Sequence, residues 1–219
     1  MASEKKVHKM KSHKKSLIAA LIALLVSVVL GVVFITGSAN ADPARAKVRW
    51  DIIGIDFAAH TISPGGHASA TAQDGSMITL TGSGTFVAGK KVGDRHVTGG
   101  GTWQTLNSTG MSIATGTYQV TNFVSFEVAP GAAAAGLTDL IGDPATARAG
   151  LAFLTVRFSD GSTGVLTVSC RIPGPPAAPP TLFEGIRVSM GFVDYWNGDE
   201  PPAPPANGNR TLFHIVGKG

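Results

Sequence analysis

The chain has one cysteine, Cys170, in 219 residues. An internal disulfide is therefore excluded, and the fold must be held by packing. Charged residues are scarce at 15% and aromatics stand at 7%. Basic excess is also missing from most of the chain. Residues 1–41 hold six lysines and one acid, Glu4, out of 18 basic and 14 acidic residues in all. Removing them leaves 12 basic and 13 acidic residues, a formal charge of −1 over residues 42–219. A duplex nucleic acid would find few cations to neutralise its phosphates there, so no nucleic-acid partner is expected.

Recognisable catalytic and metal motifs are lacking too. There is no G-x-S-x-G elbow and no H-E-x-x-H pair. The four histidines beyond residue 41 (His60, His67, His96 and His214) have no ligand spacing, so neither a metal nor a cofactor is expected. The stretch "GTFVAGKK", Gly84 to Lys91, imitates a phosphate-binding loop. Lys91 stands where the motif needs a Ser or Thr hydroxyl for Mg²⁺, and the glycines belong to a strand and its turn.

What is present begins with a three-part export pattern. Lysines precede an uncharged run, "LIAALIALLVSVVLGVVFI", from Leu17 to Ile35. "TGSANAD" follows, placing Ala39 and Ala41 at the small-residue positions of a cleavage site. The expectation is a signal peptide over 1–41, cleaved after Ala41. The alternative is an uncleaved anchor, since 19 apolar residues just suffice to span a bilayer. Either way the bulk of the chain is expected to be secreted or extracytoplasmic, touching a membrane only through 17–35 if uncleaved. The mature protein should begin at Asp42. N-terminal sequencing of secreted material checks this, and recovery of membrane-bound protein alone, starting near Met1, would establish the anchor instead.

Residues 42–219 suit a single all-β domain. Period-two alternation appears at about 48–57, 67–73, 76–88, 96–106, 112–128, 151–158, 163–172, 184–196 and 210–216. Asp74-Gly75 and Asp160-Gly161 are tight-hairpin pairs. An irregular insert, 129–150, reads as a short helix or a loop. The proline-rich pieces 173–180 and 201–206 read as stiff extended connectors. Cys170 shares parity with Leu166, Val168 and Ile172, which places it on a buried strand face.

Three stretches nearly repeat: "GSGTF" ending at Phe86, "GGGTW" ending at Trp103 and "ATGTY" ending at Tyr118. In each, a glycine lies two residues before an aromatic, on the same strand face, and the threonine between them faces the other way. A glycine leaves a hole that a neighbouring ring can fill, and it permits the coiling that closes a barrel. Strand number and glycine placement together predict a single antiparallel barrel, calycin-like, or a two-sheet sandwich. About eight strands would leave an interior that is filled or holds one small ligand.

The candidate binding residues are Trp103 and Tyr118 from the repeat, with Asp194, Tyr195 and Trp196 from "GFVDYWNGDEPP". Carboxylates beside aromatic rings suit a sugar, because rings stack on pyranose faces and acids bind hydroxyls. The sequence supports a non-catalytic secreted or surface domain that binds a small apolar ligand or a glycan. The alternatives are a secreted hydrolase or isomerase using Asp194 or Glu184, and a structural protein of the cell envelope. The sequence leaves the catalytic residues and the oligomeric state open.

Overall fold

The computed structural model describes residues 45–89, 96–131 and 136–218. The expected signal or anchor segment, with Ala39 and Ala41, lies outside the described residues. Among those residues no helix is long and apolar enough to cross a membrane.

Among the described residues fourteen strands form. They are β1 (Ala46–Asp56), β2 (Thr61–Pro64), β3 (Ala68–Thr71), β4 (Met77–Leu80) and β5 (Ser83–Val87). Next come β6 (Thr98–Leu106), β7 (Ser112–Ala129), β8 (Thr138–Asp139), β9 (Ala147–Phe158) and β10 (Thr163–Cys170). The last are β11 (Gly185–Met190), β12 (Val193–Tyr195), β13 (Asn197–Gly198) and β14 (Thr211–Lys218). Six of them close an antiparallel barrel in the order β1–β5–β6–β7–β9–β14 and back to β1. The all-β reading therefore resolves to a barrel, closed by fewer strands than the eight or so expected. The surplus strands extend the sheet outward, β4, β3 and β13 from β6, and β10, β11 and β12 from β9. The two Asp-Gly pairs make the expected hairpins: Gly75 and Gly161 have φ of 80° and 92°, and the Asp74 and Asp160 carboxylates accept the backbone N–H of Ser76 and Ser162.

Among the described residues of the insert 129–150 there is no α-helix. Within its described part, β8 adds to β2 in parallel, Pro144–Thr146 makes one 3-10 turn, and β9 begins at Ala147.

The barrel interior is filled. Phe86 stacks on Phe123 at 4.8 Å between centroids and meets Phe126 and Phe213 at 5.2 and 6.4 Å. Trp103 and Tyr118 each approach Phe158 at 6.1 Å. All three repeat aromatics are buried in one core, while Thr102 and Thr117 face solvent. The expected glycine holes are real. A Cβ on Gly84 would collide with the Thr98 carbonyl and come within 2.8 Å of the Trp50 indole nitrogen, and one on Gly116 would collide with the Ser159 hydroxyl and come within 2.7 Å of the Trp103 indole nitrogen. Gly101 differs. What lies against it is the Thr81-Gly82 backbone, where β4 bends into β5, and a Cβ there would collide with the Thr81 carbonyl. That same carbonyl accepts the Tyr118 hydroxyl at 2.9 Å. Gly101 therefore admits a backbone crossing, and the nearby Tyr118 ring only ties it down.

Candidate functional site

The lower edge of β9 changes partner within three residues. Ala147 and Arg148 pair with β14, and from Gly150 onward the strand pairs with β10. Two strands thus compete for one edge, and the sheet splits where one replaces the other. Backbone donors at the split must find acceptors other than a ladder. Side chains provide them. The Glu184 carboxylate, just ahead of β11, accepts the N–H of Arg171 through one oxygen and the N–H of Thr211 at 2.7 Å through the other. The Thr211 hydroxyl donates to the Ser169 carbonyl, and the Ser169 hydroxyl to the Phe183 carbonyl, each at 2.6 Å.

Beside this seam lies a cavity of about 350 Å³. Its walls are mostly apolar: Ile53 and Ile55 from β1, Ile62 from β2, Leu212 from β14, and Ile172 beyond β10. Pro173 and Pro201 line it too, so one residue from each proline-rich connector is a wall of the cavity. Polar groups reach it at few points, namely Glu184, Asp139, Arg171, Arg210 and Thr211. Burial pushes the Glu184 carboxyl up to about 7, against the opposing pull of the Arg171 and Thr211 donors. Cys170 is buried on its strand face as the parity predicts, and it also lines the cavity. Burial, and then the neighbouring Glu184, push its thiol well above the ordinary range, so it is a weak nucleophile.

A second buried carboxylate holds the cavity's other side. Asp139, on β8, sits 2.8 Å from Nε2 of His214, whose side chain is fully buried. Its other oxygen accepts the N–H of Ile141 and Gly142 at 2.8 and 3.3 Å. One carboxylate thus folds the 139–142 turn and fastens it to β14. On the same outer face of β1, Arg49 grips Asp51 through two hydrogen bonds of 2.8 Å, with the Asp51 side chain fully buried. The hydrogen bond to Asp51 holds the Arg49 guanidinium above its ordinary value, and Asp139 adds a weaker pull.

The five residues singled out in the sequence are not brought together. Trp103 and Tyr118 are buried in the barrel, donating to the carbonyls of Thr117 and Thr81. Tyr195 also points inward and is buried. Asp194 and Trp196 face outward and line a separate shallow depression with Arg187 and Ser189. Glu184 belongs to the cavity and Asp194 to the outer face, so the two acids named as catalytic alternatives serve different places. His214 is brought onto the Asp139 carboxylate. No group of three potential metal ligands occurs among the described residues.

No protein-family model, curated protein or solved structure matches this chain. The class is defined by architecture alone: a filled six-stranded antiparallel barrel whose sheet splits at one seam, with an apolar cavity beside the split.

Proposed function

We propose that residues 42–219 form an exported binding domain that holds a small apolar ligand in the seam cavity, with the ligand's polar end toward Glu184. The observation that carries this reading is the cavity itself: an apolar pocket of about 350 Å³ with few polar groups and one buried carboxyl pushed up to about 7. At neutral pH that carboxyl is both donor and acceptor across the population, so it suits a hydroxyl or carbonyl terminus. The filled interior speaks against a ligand inside the barrel.

The test uses the apolar fluorophore N-phenyl-1-naphthylamine. Ile62→Trp would fill the cavity from β2, a strand outside the closed barrel. The wild-type protein should enhance the probe's fluorescence, and the variant should bind at least about tenfold more weakly, roughly 1.4 kcal/mol. Equal binding by both proteins would dismiss the cavity as the site.

A second reading, an acid–base isomerase or hydrolase at Glu184, is favoured by that same carboxyl, because a group near 7 donates and accepts protons efficiently at neutral pH. Its mark would be turnover of a cavity ligand that Glu184→Gln abolishes without weakening binding.

A further inference from the structure

We propose that the outer face of β9–β10–β11–β12 is a second, separate site, and that it binds a neutral hexopyranose saccharide. Strand register sets the residues in rows. Phe153 pairs with Thr167, and Thr167 with Arg187. Because Val188 pairs with Tyr195, the row continues from Arg187 to Trp196. In the neighbouring row Ser189 pairs with Asp194. All six residues line one shallow depression of about 310 Å³.

Three properties point to a sugar. First, Trp196 is 55% exposed, while the other two tryptophans, Trp50 and Trp103, are 0% and 4% exposed. An indole left in water on a flat sheet face offers an apolar plane with a polar edge, matching the C–H face and hydroxyl rim of a pyranose ring. Second, the flanking polar groups have free valences. Among the described residues the Asp194 carboxylate forms no hydrogen bond or ion pair. The Arg187 guanidinium is placed over the Phe183 ring, 4.1 Å from its centroid, where it is held in position and keeps its donors. The Ser189 hydroxyl accepts the Val165 N–H at 3.0 Å and still has a proton to give. Donors and acceptors both line the depression, as vicinal hydroxyls require. Third, one acid and one base cancel, which disfavours an anionic ligand and leaves a neutral one.

Solvent exposure also makes the test clean, because aqueous iodide reaches Trp196 and neither buried tryptophan. The probes are cellohexaose, maltohexaose and mannohexaose, each titrated to about 10 mM, enough to detect a dissociation constant of about 1 mM. At least one should protect Trp196 from iodide quenching. Trp196→Phe should retain part of the affinity by keeping a stacking ring. Arg187→Ala should weaken binding at least about tenfold. Trp196→Ala is read by native gel mobility in the matching polysaccharide, and should abolish the retardation while the melting temperature stays unchanged. The proposal is overturned if none of the three sugars protects Trp196. It is overturned equally if Trp196→Ala is still retarded, or if phosphatidylcholine vesicles protect Trp196 where the sugars do not. Loss of sugar binding in Ile62→Trp would assign the sugar to the seam cavity and overturn it as well.

Discussion

Trp103→Ala is expected to destabilise the protein by about 3–5 kcal/mol, the usual cost of removing a large buried aromatic. The ring is 4% exposed, packs edge-on to Phe158 at 6.1 Å, and donates from its indole nitrogen to the Thr117 carbonyl at 3.1 Å. It also fills the space left by Gly116 on the adjacent strand, so truncation opens a void that no side chain on that strand can enter. Thr102→Ala, one residue away, should cost under about 1 kcal/mol. Its side chain faces solvent and trades one hydroxyl contact, 2.7 Å to Thr81, for water. Gly101→Val should exceed the range of about 1–3 kcal/mol for ordinary overpacking. Its obstacle is a backbone carbonyl at the β4–β5 bend, which has no other rotamer to adopt. Denaturant midpoints of the three variants check the series. A tolerated Trp103→Ala that abolished ligand binding would return Trp103 and Tyr118 to the role of a binding platform.

The second large effect is a dependence on pH. Glu184 has an ordinary value of 4.5 and is raised to about 7 in the folded protein. Between those values the native state holds a proton that the unfolded chain has released, so stability falls as pH rises. Below 4.5 both states are protonated and the full stability is present. Above about 7 both are ionised, and the native state carries a buried charge. At about 1.4 kcal/mol per unit, the loss across the window is on the order of 3 kcal/mol. Glu184→Gln has no proton to lose and should flatten that slope. It also turns an amide donor toward the N–H of Arg171 or Thr211, so its absolute stability should drop by about 1 kcal/mol at low pH. Denaturant unfolding of both proteins at the two ends of the window decides the matter. Parallel slopes would move the titration to another group.

The strands were legible because alternation is a local property. The runs around 112–128 and 163–172 became β7 and β10 with small changes at the ends. The alternation over 76–88 is continuous in the sequence, yet the strand breaks at Thr81-Gly82, where Gly82 takes φ 148° and the chain crosses Gly101. That bend depends on a partner strand about 20 positions away and leaves no periodic trace. β2, β8 and β13 escaped because strands of two to four residues carry no period to detect. The cavity was illegible for a related reason. It follows from β10 and β14 exchanging places along β9, and its key pair, Asp139 and His214, is 75 positions apart. Glu184 could be named as an acid from the sequence, but its burial could not, since the donors that hold it come from two other segments, at Arg171 and Thr211.

The ends of the long sheet path bear on how the molecule behaves at high concentration. The path runs from β12, three residues long, to β13, two residues long, and a single residue, Trp196, separates them in the chain. β8, the end of the side branch through β2, is also only two residues. A neighbouring molecule seeking an edge to extend would find at most three consecutive backbone positions at any of these ends. So little exposed ladder cannot template a stable intermolecular sheet. The described sheet therefore limits edge-to-edge pairing at these ends by where its strands stop, without charge repulsion.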